Sequence, residues 1–78
     1  MKIKFPKKEI VDRLRKEYPA GTRIELLEMN DFQAPPLGTY GTVTGVDDTG
    51  SLLVRWDNGS GLNVIYGVDR VKKIQKES

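Results

Sequence analysis

The sequence contains no cysteine and no histidine. Without cysteine, disulfide bonds, thiolate nucleophiles and cysteine-ligated zinc sites are excluded. Without histidine, the chain lacks the side chain that most often serves as a general base or a metal ligand. No apolar run approaches the roughly 20 residues that a membrane-spanning helix requires, and the charged N-terminal residues lack the apolar core of a signal peptide. We therefore expect a cytoplasmic protein with no membrane partner.

The remaining side chains offer little for catalysis. The serines have no histidine to activate them. Asp47, Asp48, Asp57 and Asp69 fall in predicted turns, where aspartate commonly accepts backbone hydrogen bonds, and their spacing does not match a calcium loop. The sequence therefore predicts no catalytic residue, no metal site and no small-molecule cofactor, and it favours a protein that is not an enzyme.

One amphipathic helix is predicted near the N-terminus. Ile10, Val11, Leu14 and Tyr18 recur at helical spacing, and charged residues occupy most positions between them. One proline precedes this segment and another follows it, as suits the start and the end of a helix. We assign residues 1–21 to this basic helix and the turn that follows it.

Short β-rich runs alternate with tight turns about every ten residues between positions 22 and 74. Asn58-Gly59 is the strongest hairpin signal and favours a type I′ turn. This spacing predicts a mainly β fold, a five-stranded SH3-like barrel on which the helix packs. Residues 75–78 are expected to be a frayed tail. The predicted strands cover residues 23–29, 40–47, 52–56, 62–66 and 71–74.

Several motifs follow one another in this segment, among them Arg23-Ile24-Glu25-Leu26, Gln33-Ala34-Pro35-Pro36, Gly41-Thr42-Val43, Val54-Arg55-Trp56-Asp57-Asn58-Gly59-Ser60 and Gly67-Val68-Asp69. Together they resemble a small bacterial domain family of unknown function that occurs in phages and mobile elements. The resemblance covers about residues 20–74. It implies an SH3-like fold but no activity, because none is assigned to that family, and it assigns no functional residue.

Exposed aromatic side chains and a long proline-containing loop favour a binding module. Tyr40 and Tyr66 lie at predicted strand ends, whereas Trp56 shares a strand face with Leu52 and Val54 and is expected in the core. The leading hypothesis is a non-catalytic protein–protein interaction module, an accessory factor of a phage or mobile element. Its candidate partner-binding residues are Tyr40, Arg55, Tyr66, Gln33 and Pro35.

Positive charge is concentrated at the two ends of the chain. Residues 1–23 carry eight Lys or Arg and three acids, a net charge of +5, whereas residues 24–70 carry a net charge of −5. The alternative hypothesis is an accessory protein that binds nucleic acid without sequence preference and with steep salt dependence. The same residues would also suit a solvated helix face and a solubilising tail. The candidate nucleic-acid contacts are Lys7, Lys8, Arg13, Arg15, Lys16, Lys72 and Lys73.

Overall fold

A computed structural model describes residues 8–74 of the chain. They form one helix and four strands, and the strands make a single antiparallel sheet in the order β3-β2-β1-β4. The fold is therefore mainly β, as the sequence predicts. Lys7 and the predicted tail at residues 75–78 lie outside the described residues. The elements are α1 (Lys8–Glu17), β1 (Arg23–Glu28), β2 (Tyr40–Val46), β3 (Leu52–Trp56) and β4 (Arg70–Lys73).

Helix α1 forms where the apolar periodicity predicts it. Val11 and Leu14 are buried on one face. Glu9 lies in the first turn and Arg15 and Lys16 in the last, which complements the partial charges of the helix ends. The backbone N–H of Tyr18 still donates to the Leu14 carbonyl at 2.8 Å, before the proline at position 19 ends the helical segment.

The core lies on one face of the sheet. Every second residue of β1 and β3 points into it, as expected for strands with one buried face. Trp56 is 1% exposed, so the prediction that it belongs to the core is confirmed. Its indole Nε1–H donates to the Leu62 carbonyl at 2.7 Å, which satisfies the polar edge of the ring. The buried cluster comprises Ile24, Leu26, Met29, Val43, Leu52, Val54, Trp56 and Val64.

Two irregularities bend the sheet. The register of β2 against β3 shifts between Val43 and Gly45, and that of β1 against β4 shifts between Leu26 and Glu28. A bulge of this kind adds one unpaired residue and increases the local twist.

The five-stranded barrel is not confirmed, because the predicted strand at residues 62–66 is reduced to a single bridge between Leu52 and Val64. Side chains form hydrogen bonds with backbone groups that would pair with the neighbouring strand in a longer ladder. The indole of Trp56 binds the Leu62 carbonyl, and the Asp69 carboxylate accepts from the Ile65 N–H at 2.9 Å. The described residues thus form an open sheet.

The connection after β3 also differs from the prediction. Among residues 8–74 only glycines have positive φ, so Asn58 cannot occupy a type I′ turn, which needs two such residues. Instead the Gly59 N–H donates to the Trp56 carbonyl at 3.0 Å, and Gly59 itself has φ +88°. The chain turns tightly there and pairs with β3 again only at the Leu52–Val64 bridge.

Helix α1 packs on the core side of the sheet. Tyr18 contacts the buried cluster, and the Arg15 guanidinium donates to the Val46 carbonyl at 3.2 Å and to Asp48 at 2.9 Å. The opposite face of the sheet, which carries Thr42 and Arg55, is therefore not covered by the helix.

Candidate functional site

The segment between Val64 and β4 folds into a tight turn. The backbone N–H groups of Val68 and Asp69 both donate to the Ile65 carbonyl, at 3.1 and 3.0 Å. The Asp69 carboxylate accepts from the Ile65 N–H, which closes the turn from the other side, and Gly67 supplies the residue with φ +80°. The predicted structural role of Asp69 is thereby confirmed.

Three large apolar side chains of this turn face solvent. Ile65 is 51% exposed, Tyr66 45% and Val68 64%. We call Ile65, Tyr66 and Val68 the apolar ridge. Single exposed apolar residues are common on protein surfaces, whereas here three lie together on one braced turn.

A cleft of about 410 Å³ separates the ridge from α1, and we call it the helix-side cleft. Burial and, to a smaller degree, the negative charge of Glu17 raise the pKa of the Tyr18 phenol above its ordinary value. A tyrosine phenol is already neutral at physiological pH without this shift, and it can donate a hydrogen bond. The cleft therefore combines apolar walls with a few polar groups. Its walls include Leu14, Tyr18, Leu52, Val64, Tyr66 and Arg70.

A second cleft, of about 300 Å³, lies on the other side of the ridge, against the long β1–β2 loop. We call it the loop-side cleft. Asp69 lines both clefts, so the turn that it braces separates them. The loop-side cleft is bounded by Met29, Asp31, Leu62, Ile65, Val68 and Asp69.

The chain matches a known protein family. A family model described as a domain of unknown function, DUF4314, matches residues 7–74, which include α1 and all four strands. The chain belongs to the DUF4314 family. The predicted resemblance to an uncharacterised domain family is thus confirmed. No curated protein matches the chain.

The predicted partner-binding residues do not converge in this DUF4314 domain. Arg55 pairs with Thr42 in the β2–β3 ladder, and Tyr40 lies on the same outer face of the sheet. The Tyr40 carbonyl accepts from the Asp57 N–H at one end of the β2–β3 hairpin, whereas Tyr66 lies beside Gly50 at the other end. Tyr40 and Tyr66 are therefore parts of different surfaces.

The β1–β2 loop changes the interpretation of two further candidates. Gln33 is exposed and lies beside the 58–62 loop, away from the ridge. Pro35 is buried, so its prediction as a surface contact is wrong. The loop folds back because the Gly38 N–H donates to the Leu26 carbonyl at 2.8 Å, and Ala34 packs against the core. A proline ring is apolar and has no N–H to satisfy, so it tolerates this burial.

The outer face of the DUF4314 sheet contains a bidentate ion pair. The Arg23 guanidinium donates to both carboxylate oxygens of Asp57, at 2.8 and 2.7 Å, and to the Thr42 hydroxyl at 2.9 Å. These hydrogen bonds hold the pKa of Asp57 below its usual value and raise that of Arg23. Arg23 is therefore engaged within the fold.

The basic residues form no uniform surface. Arg15 is bound to Val46 and Asp48, Lys72 lies 3.5 Å from Glu25, and the Lys73 ammonium lies 5.0 Å from the Tyr18 ring centroid. The described helix has four cations and three acids, a net charge of +1. Its exposed cations are interleaved with acids along the helix. These cations are Lys8, Arg13, Arg15 and Lys16.

Four exposed apolar residues escaped the sequence prediction. Ile65 falls within the predicted strand at residues 62–66, and Val68 within a predicted turn. Phe32 and Leu37 are exposed in the β1–β2 loop, where no periodicity indicates a direction for their side chains. The Gly67-Val68-Asp69 motif is the one signal in the sequence for this exposure. It predicts a tight turn, and side chains next to a tight turn face solvent.

Residues 8–74 contain neither a metal-binding cluster of side chains nor a membrane-spanning helix. No three acidic side chains there gather closely enough to hold a metal ion. The one helix in that range is too short and too polar to cross a membrane.

Proposed function

We propose that this DUF4314 domain is a non-catalytic protein-interaction module that binds its partner through the apolar ridge. The observation that carries the proposal is the exposure of Ile65, Tyr66 and Val68 on one turn with a cleft on each side. Covering these side chains removes apolar surface from water, which favours association. Because Asp69 already holds the turn, binding costs little conformational entropy there.

The chemistry of the described residues supports a role without catalysis. No charged or polar side chain is buried in residues 8–74. The acids engaged in strong contacts, such as Asp47 and Asp57, serve turns and ion pairs that stabilise the fold. These are the roles of structural carboxylates.

The strand order supports a reduced SH3-like barrel as the architecture. The last strand, β4, pairs with the first, and Val64 extends the sheet beyond β3 by one bridge. A fourth barrel strand reduced to that bridge would explain why the ridge is displayed. A cytoplasmic location and a link to phages or mobile elements stay predictions from the sequence.

The proposal is tested by affinity capture from the native host with the full chain as bait. The ridge variant Tyr66→Ala/Val68→Ala removes two exposed side chains, and Leu37→Ala is the matched control, since Leu37 is an exposed apolar residue that lines neither cleft. Circular dichroism confirms that each bait is folded. We expect a reproducible partner with wild type and with Leu37→Ala, and its loss with the ridge variant. Equal recovery by all three baits, or no reproducible partner, contradicts the proposal.

One contact favours a second candidate function, nucleic-acid binding. Lys73 lies over the Tyr18 ring, so β4 brings this lysine beside the end of the basic helix. This proximity is what a continuous phosphate-binding surface would require. The acids interleaved along α1 weaken that surface, and for this reason the ridge is preferred.

A further inference from the structure

We propose that the loop-side cleft receives a lysine or arginine side chain of the partner. The segment that binds the ridge would then carry a cation next to apolar residues. This inference rests on the proposed function, because it specifies the chemistry of the partner at the same surface.

The shape of the loop-side cleft suits a long side chain. Its apolar lining combines Met29, which is buried, with the half-buried Leu62 and the exposed Ile65 and Val68. The aliphatic stems of lysine and arginine pack readily on such apolar walls while their charged ends stay at the rim. At about 300 Å³ the cleft lies at the lower limit of sites that hold a small organic ligand, but it accommodates a single side chain.

The negative charge of the loop-side cleft favours a cationic side chain of the partner. Two carboxylates, Asp31 and Asp69, line it, and the described lining contains no lysine or arginine. One oxygen of Asp31 accepts from the Gln33 N–H at 2.8 Å, and one oxygen of Asp69 accepts from the Ile65 N–H at 2.9 Å. Each carboxylate is thus oriented by the backbone and has a second oxygen with which to accept from a partner.

The charge of this part of the chain acts in the same direction. Residues 24–70, which contain both carboxylates, carry a net charge of −5, of which Glu25, Asp48 and Asp57 are paired with cations from outside that range. The two carboxylates of the cleft attract cationic segments and disfavour acidic ones. An anionic or purely apolar partner would leave the two carboxylates without a counter-charge.

The experiment selects random 12-residue peptides, displayed on phage, against the immobilised full chain. We expect the selected peptides to be enriched in lysine or arginine next to apolar residues. Their affinity is then measured for Asp31→Asn, for Asp31→Asn/Asp69→Asn, for the ridge variant Tyr66→Ala/Val68→Ala and for the control Glu9→Gln. Asparagine keeps the oxygen that accepts from the backbone, so both turns are preserved while the charge is removed. We expect at least tenfold weaker binding to the double variant and unchanged binding to Glu9→Gln, which lies on the exposed face of α1.

Three results would overturn the inference. Peptides that require Tyr66 and Val68 but show no enrichment of cations would refute the cation site and leave the proposed function intact. Cationic peptides that bind Asp31→Asn and the double variant as well as wild type would also refute it. A library from which no peptide is selected would count against the inference and the proposed function together.

Discussion

Gly41 and Trp56 lie directly opposite each other in the β2–β3 ladder, and the indole occupies the space above the glycine. A Cβ atom built on Gly41 would lie 2.7 Å from Trp56 Cε3 and 2.7 Å from Val54 Cγ1. Neither atom is the free end of a flexible chain, because both belong to buried core residues. The absence of a side chain at this position therefore allows the largest core residue to pack on the sheet.

Gly41→Ala is expected to destabilise the fold by about 1–3 kcal/mol, the usual cost of overpacking a core. Gly61→Ala is the matched control, since a Cβ there meets nothing within 4 Å and Gly61 does not have positive φ. Urea unfolding followed by Trp56 fluorescence measures both free energies of unfolding. Equal stability of the two variants would show that the core adjusts to an extra methyl group at position 41.

Local pattern explains most of the elements that the sequence predicts. The helix follows from the spacing of residues such as Val11 and Leu14, and β1 and β3 follow from alternation. Trp56 is correctly placed in the core because it shares a strand face with Leu52 and Val54. These features depend only on residues that are close in the sequence, so the spacing of apolar residues predicts them.

The incorrect predictions involve contacts between distant residues. Whether Pro35 is exposed depends on the hydrogen bond from the Gly38 N–H to the Leu26 carbonyl, which no local pattern reveals. The shortened fourth strand depends on two hydrogen bonds, one that the Trp56 indole donates to the Leu62 carbonyl and one that the Asp69 carboxylate accepts from the Ile65 N–H. Exposure of the ridge follows from that shortening, so only Tyr66 could be named in advance.

Asp69 stabilises the turn that carries the apolar ridge, and substitution of Asp69 tests this role. Asp69→Ala removes the acceptor of the Ile65 N–H, and we expect a loss of about 1 kcal/mol in the free energy of unfolding, typical of one hydrogen bond. Asp69→Asn keeps an acceptor oxygen and is expected to be closer to wild type. Urea unfolding gives the stabilities, and amide hydrogen exchange at Ile65 reports the local bond. If alanine and asparagine variants exchange equally slowly, the carboxylate does not brace the turn.

The β2–β3 turn makes stability sensitive to acid. The Asp47 carboxylate accepts from the Thr49 hydroxyl at 2.6 Å and from the N–H groups of Thr49 and Ser51, both at 2.9 Å. These bonds, and the positive charge of Arg15, lower the pKa of Asp47 in the folded chain. A lowered folded pKa stabilises the fold above the usual carboxyl pKa of about 3.9, and this contribution is lost as pH falls through the folded value.

We therefore expect the free energy of unfolding to fall as pH drops from about 4 to 2, near and below the usual carboxyl pKa. Asp47→Asn is expected to be less sensitive over the same range, because asparagine accepts hydrogen bonds but does not titrate. The measurement is a series of urea unfolding curves in that range for both proteins. Asp57, whose pKa is also lowered, contributes the residual acid sensitivity in the variant. An identical pH profile for the two proteins would exclude Asp47 as a source of the effect.

Nucleic-acid binding makes a distinct prediction from the exposed cations of α1. If Lys8, Arg13 and Lys16 each neutralised one phosphate, affinity for duplex DNA would fall about 40-fold between 50 and 200 mM salt. Because α1 carries a net charge of only +1, we expect no gel shift at either salt concentration. A shift at 50 mM that disappears at 200 mM would instead favour the nucleic-acid function. In that case the gel shift should disappear when these three residues are replaced by glutamine. The shift should persist in Arg55→Gln, which removes an exposed cation from the outer face of the sheet.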